Sequence, residues 1–183
     1  MLLSASWKEY LVLRDLLDSP GLRMTYSKGA LELMSPSLEH ELWKKNIARF
    51  VEHFAYLKRI DLRGYGSTTF RKEFEQHGAE PDECYVVGKK IADYPEIVLE
   101  VIYSSPLLDK RAIYTAMGVP EVWVFEKGAF TIWLRGPDAR YVPSDRSRVI
   151  PELDFVLLAR FVLREDTPQA LREYEAELGH ERA

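Results

Sequence analysis

Two hydrophobic periods alternate along this chain, one helical and one of strand type, and their order outlines an architecture. Residues Ser6 to Leu17, SWKEYLVLRDLL, carry apolar positions at helical spacing behind a serine suited to cap them. Ser19-Pro20-Gly21 stops that helix. LRMTY, SKG and ALELM then read as a β-hairpin in which Gly29 supplies the positive φ of the turn. The strand period of two puts Leu31 and Leu33 on one face, and Ala30, Glu32 and Met34 on the other.

Ser35-Pro36 opens the longest helical stretch, SLEHELWKKNIARFVEHFAYLKR, with Pro36 in its first turn and Glu39 and Glu41 near its positive end. Leu38, Leu42, Ile47, Phe50, Val51 and Phe54 form its apolar stripe. Ser67 to Gln76 alternates as a strand, Gly78 to Pro81 reads as a turn, and DECYVV is the next strand. EIVLEVIY, from Glu96 to Tyr103, has Ile97, Leu99 and Val101 on one face and Val98, Glu100 and Ile102 on the other, the pattern of a central strand covered on both sides. After Ser104-Ser105-Pro106, LLDKRAIYTAM reads as a helix ended by Gly118. VPEVWVFEKGAFTIWLR is a hairpin turning at Lys127-Gly128. From Gly136 the tail runs through a polar loop, the apolar segment LDFVLLARFVL and a helix opened by Thr167-Pro168. This order predicts an α/β or α+β chain forming a single domain over residues 1–183, with no internal repeat or dividing linker.

Composition narrows the class. With 183 residues, 46% apolar and 30% charged, the chain suits a globular core and excludes the disordered and fibrous classes. Cys84 is the single cysteine, so neither an intramolecular disulfide nor a thiolate zinc cluster can form; inside an apolar strand it reads as an inert core residue. The N-terminal residues lack the pattern of a signal peptide, and no run approaches the roughly 20 apolar residues of a membrane span. A cytoplasmic protein with no membrane partner is therefore expected. The net charge of −4 argues against a protein that coats nucleic acid. Between positions 40 and 111, however, 12 Lys or Arg balance 12 Asp or Glu, which leaves room for local phosphate contact by Lys44, Lys45, Arg71 and Lys72. Each of these also reads as part of a solvated face.

The pattern breaks at two acids. EPDECYVVG places Asp82 at the mouth of an apolar strand, and Glu100 interrupts EIVLEVIY. An ionisable group in a buried strand costs several kcal/mol unless something pairs with it. If the two strands are neighbours, both carboxylates leave one face, repel, and need a cation or a shared proton. Mg²⁺ suits such a pair, because it takes one or two carboxylates and keeps waters and phosphate oxygens as its other ligands. It also polarises a phosphodiester and activates a bound water. A structural ion pair, or exposure at a sheet edge, accommodates the same residues.

GALELMSP, a helix carrying His40, EPDECYVV, EIVLEVIYSS and DKRAIYTAMGVPEVW follow one another from about Arg23 to about Leu134. In that order they resemble the Uma-type family of restriction-endonuclease-like proteins, placed in the PD-(D/E)xK nuclease superfamily. The resemblance implies a restriction-endonuclease-like core over about 23–134, a mixed β-sheet flanked by helices, with a C-terminal extension over about 137–183. It implies a Mg²⁺- or Mn²⁺-dependent endonuclease acting on nucleic acid, DNA first, and a homodimer that cuts two strands. Pro81-Asp82 would be the PD element and Glu100 the acid of the second element, both holding the metal. Glu32, in the pattern Gly29-x-Leu31-Glu32-x-Met34, would be a preceding catalytic acid, with His40 and Glu41 as further candidates. The lysine expected two residues after the acid is replaced by Ile102, and the block DKRAIY offers Lys110 instead. That departure supports an alternative, a catalytically silent nuclease fold acting as a DNA- or protein-binding module. No serine nucleophile elbow, Gly-rich phosphate loop or HExxH is present to favour another hydrolase. Trp123, Phe125, Phe130 and Trp133 read as cross-strand packing. Trp43 and Tyr114 are possible site-lining residues, while His53, His77 and His180 show no ligand spacing.

Overall fold

The computed structural model describes residues 1–17, 21–88, 93–103 and 108–180. Two sheets organise them. The first is antiparallel throughout, in the order β1 (Leu2–Ser4), β3 (Ala30–Met34), β2 (Arg23–Ser27), β6 (His77–Ala79), β5 (Phe70–Lys72). The second runs β11 (Tyr141–Ser144), β10 (Ala129–Arg135), β9 (Glu121–Glu126), β8 (Ile97–Ile102), β7 (Glu83–Val87), β4 (Leu62–Gly64). It is mixed, because β8 and β9 pair in parallel and all its other neighbours are antiparallel. A parallel pair needs a crossover, and the helix α3 (Lys110–Met117) supplies it. The remaining helices are α1 (Trp7–Leu16), α2 (Leu38–Lys58), α4 (Phe155–Val162) and α5 (Thr167–His180). This is the expected α+β architecture with a mixed, helix-flanked sheet, and a second sheet is added to it.

Strand β8 divides the core as its alternation predicts. Ile97, Leu99 and Val101 enter the large cluster formed with α2, α4 and α5. Val98 faces the other way and packs with Cys84, Val122 and the Ile113, Tyr114 and Met117 side chains of α3. A third cluster, centred on Tyr10, Met24, Tyr26 and Leu31, fixes α1 to the first sheet. Ser6 caps α1 in a capping box with Glu9, whose carboxylate accepts from the Ser6 amide at 2.7 Å. No helix among the described residues is long and apolar enough to cross a membrane.

Several boundaries differ from the sequence reading, each for a local reason. Helix α2 starts at Leu38 because the Ser37 hydroxyl caps it, accepting from His40 N at 3.2 Å, so Pro36 precedes the helix. Leu38 and Leu42 are exposed. The buried stripe instead runs back from Phe54 and Val51 through Ile47 to Lys44 and His40. The 67–76 strand shrinks to β5, followed by a 3-10 turn at Glu73–Glu75. Gly78 and Ala79 belong to β6 rather than to a turn. A Cβ at Gly78 would collide with the Tyr10 ring and hydroxyl, so the close approach of α1 requires glycine there. The helix expected from Leu107 begins at Lys110, where the Asp109 carboxylate accepts from Arg111 N at 3.0 Å. Ser104 to Leu107, like the Ser19-Pro20 stop, lie outside the described residues. The polar loop after Gly136 contains β11, and the apolar segment of the tail is α4, capped by Asp154.

Candidate active site

Strand register brings the two acids together. Glu83 pairs with Leu99 and Cys84 with Val98, so Asp82, one step further, stands opposite Glu100. The Asp82 amide continues the ladder, donating to Leu99 O at 3.1 Å. Asp82 shares a face with Cys84 and Glu100 shares one with Val98, which is the face that α3 covers. From α3, Lys110 Nζ donates to Glu100 Oε2 at 2.8 Å. Tyr114, one helical turn later, donates its hydroxyl to Glu100 Oε1. Asp82 Oδ2 accepts from Val101 N at 2.8 Å and lies 3.1 Å from His40 Nε2. Asp82 Oδ1 is buried and has no hydrogen-bond partner among the described residues.

These groups line a cavity of about 670 Å³ between the two sheets. Arg23, Thr25 and Glu32 face it from the first sheet, His40 from α2, and Val124, Thr131 and Trp133 from β9 and β10. Glu32 Oε2 accepts from Leu108 N at 3.3 Å. Asp82 is 2% exposed and Glu100 7%, so a reacting bond must enter the cavity to meet them.

Burial and charge set the protonation states. Burial pushes the Glu100 carboxyl up and the Asp82 charge adds to this, against the pull of Lys110. Burial acts on Asp82 in the same direction, but hydrogen bonding to His40, the Lys110 charge and the Val101 amide hold it below its ordinary value. Burial alone would depress Lys110; Glu100, Asp82 and Glu32 outweigh that and raise it, so it stays an ammonium. His40 is raised by Asp82 against its own burial, and burial together with Glu100 pushes the Tyr114 phenol far up, so it remains a donor. No group of three or more His, Cys, Asp or Glu side chains is placed to hold an ion among the described residues. The donors on offer are the unpartnered Oδ1 of Asp82 and the remaining lone pairs of Glu100. These are hard oxygens in the number that Mg²⁺ takes from a protein when phosphate and water complete its shell.

Of the residues singled out from sequence, Asp82, Glu100, Lys110, Glu32 and His40 line this cavity. Glu41 stands beside them, 3.5 Å from His40 Nδ1, and binds Lys44, which is buried. Lys45 lies in a separate shallow pocket with Arg49 and Glu83. Lys72 binds Glu75 and the carbonyl of Ala116, and Arg71 reaches toward Asp15 at 4.0 Å; neither lines the cavity. The cavity's other cations are Arg23, which sequence reasoning passed over, and Arg111, the neighbour of Lys110 on α3. Tyr114 was noted only as a possible lining residue. Its signal was the i, i+4 spacing from Lys110, which puts both on one helix face.

The family model described as "Putative restriction endonuclease", Uma2, matches residues 7–160. A search among curated proteins found no match. Among solved structures, the fold is similar to that of a protein titled "a putative nuclease belonging to DUF820" from Anabaena variabilis, with a TM-score of 0.55 and 12% identity. The alignment covers 87% of this chain and 99% of that one. With the family model spanning most of its length, this chain belongs to the Uma2 family of restriction-endonuclease-like proteins.

Proposed function

We propose that the chain is a divalent-metal-dependent endonuclease that hydrolyses phosphodiester bonds of nucleic acid, DNA first, in the cavity between its sheets. The observation that carries this reading is the meeting of Asp82, Glu100 and Lys110 on one face of the mixed sheet at the cavity wall, with Asp82 Oδ1 buried and without a hydrogen-bond partner among the described residues. Asp82 and Glu100 would hold Mg²⁺ or Mn²⁺. Bound there, the ion supplies Lewis-acid polarisation of the phosphodiester and a more acidic water.

The chain's own groups do the rest. His40 and the Val101 amide fix Asp82 Oδ2 and leave Oδ1 without a hydrogen-bond partner among the described residues. Lys110 and Tyr114 hold Glu100 by one oxygen each. As a permanent ammonium, Lys110 is an electrostatic partner for charge developing on the phosphate rather than a base. It takes the role that Ile102 cannot fill. Glu32, across the cavity, would orient an attacking water, and Arg23 would meet a neighbouring phosphate.

A second reading, a silent binding module, is favoured by one observation: Lys110 and Tyr114 already satisfy Glu100 without an ion. The two separate by thermal shift. On the nuclease reading Mg²⁺ or Mn²⁺ stabilises the wild type by mass action, about 2.7 kcal/mol at a hundredfold excess over Kd, and Asp82→Ala abolishes the shift. Equal shifts in both proteins, or none in either, favour the module.

A further inference from the structure

The cavity continues past the acids onto a part of the mixed sheet that is half-open among the described residues. Register places Glu100, Val124 and Thr131 in one row across β8, β9 and β10, with Trp133 in the adjoining row. Helix α3 has only eight residues and buries Val122 beside Trp133, while Val124 and Thr131 remain partly open and line the same cavity as the carboxylates. Neighbouring strands lie about 5 Å apart, so this shelf extends roughly 10 Å from Glu100. Its wall is a stack: the Arg111 guanidinium sits 4.4 Å from the centre of the Trp133 ring. Asp109 fixes that guanidinium through two bonds, of 3.0 and 3.2 Å. A half-open sheet surface at Val124 and Thr131 beside a planar guanidinium stacked on an indole is a surface on which a nucleobase can stack.

We propose that this shelf binds an unpaired nucleobase adjacent to the phosphodiester held at Asp82 and Glu100, so that the substrate is a single strand or frayed end rather than intact duplex. The proposal rests on the nuclease reading and deepens it. Both acids are buried, in a cavity of about 670 Å³, within the roughly 300–1,000 Å³ typical of small-ligand pockets. A base kept in a duplex stack cannot follow its phosphate into such a space; it has to leave the stack first. Arg111, Lys110 and Arg23 are the phosphate partners on a cavity wall that also carries Glu32, Asp82, Glu100, Asp109 and Glu126, so affinity without metal rests on base stacking more than on charge.

The test compares three probes of matched length by fluorescence anisotropy, in EDTA at low salt so that nothing is cut: oligo(dT), a fully abasic strand of the same charge, and a duplex. Wild type should bind oligo(dT) about tenfold or more tighter than the abasic strand, the scale of losing one or more stacking contacts, and tighter than the duplex. Trp133→Ala should bring the first two probes within about twofold of each other. Arg111→Ala, at a half-exposed position that leaves the fold intact, should do the same. Equal binding of oligo(dT) and abasic strand by wild type, a preference that survives both substitutions, or no binding of any probe would overturn the shelf. The Asp82-dependent metal shift is measured apart from this, so the nuclease reading stands or falls separately.

Discussion

Replacing Lys110 with Met keeps most of the side-chain volume and removes the one ammonium that, among the described residues, lines the cavity with the two buried carboxylates. Lys110 Nζ lies 2.8 Å from Glu100, and the two side chains are 14% and 9% exposed, so solvent screens the pair little. Removing one partner of a buried pair typically destabilises by about 3–5 kcal/mol. For a chain of this size, at roughly 2–4 °C per kcal/mol, that lowers Tm by about 6–20 °C at pH 7. The penalty should depend on pH with a definite sign. Without Lys110, burial and the Asp82 charge push Glu100 further above its ordinary 4.5. A raised carboxyl destabilises at high pH, so the loss should fade as pH falls toward 4.5. It should also shrink when Glu100→Gln is added, because the unpaired charge is then gone. Mg²⁺ should stabilise Lys110→Met more than wild type, since the ion replaces the missing cation. Melting by circular dichroism across pH, with and without Mg²⁺, checks all three. A loss below about 1 kcal/mol that ignores pH and Glu100 would refute the reasoning.

Three further outcomes follow from other contacts. His40 is raised and Asp82 lowered, so their mutual stabilisation is complete below 6.5 for the histidine and above 3.8 for the aspartate. His40→Gln should therefore destabilise more at pH 5.5 than at pH 8.5, by on the order of 1 kcal/mol, the margin of a charged over a neutral hydrogen bond; a flat difference in urea melts would contradict the pairing. Gly78→Ala should cost about 1–3 kcal/mol by overpacking against Tyr10, and Tyr10→Phe should recover part of it in the double variant; additive losses would argue against the clash. Burial, with the Glu83 charge, pushes the Cys84 thiol up to about 12, so native protein at pH 8 should resist a thiol-specific disulfide reagent that labels the unfolded chain at once.

Much of this was legible because local periods agree with the tertiary environment. The alternation in β8 stated both of its faces, and Glu100 stood out because nothing else in that strand is polar. The Lys28-Gly29 and Lys127-Gly128 turns, all four residues at positive φ, fixed two hairpins. The three-residue strands β1, β4 and β6 are too short to show a period, and their pairing comes from partners distant in sequence. The division into two sheets was hidden for the same reason. In α2 the apolar stripe was traced through Leu38 and Leu42, whereas the helical phase of Phe54, Val51 and Ile47 leads back to Lys44 and His40. Polar residues on a core-facing stripe mark where the helix leaves the core and meets the cavity. Tyr114 stayed ambiguous because a tyrosine on an amphipathic helix resembles core until its hydroxyl partner is known.

The most direct measurement of the central claim is cleavage itself. An end-labelled single strand and a duplex are incubated with Mn²⁺ or Mg²⁺ and wild type, Asp82→Asn, Lys110→Met or Lys8→Ala, the last altering an exposed lysine of α1 that does not line the cavity. The account predicts metal-dependent cutting by wild type and Lys8→Ala. It predicts a loss of about two orders of magnitude or more in the Asp82 and Lys110 variants, the scale of removing one transition-state stabiliser. Cutting that survives Asp82→Asn, or none by wild type with either metal, would contradict it.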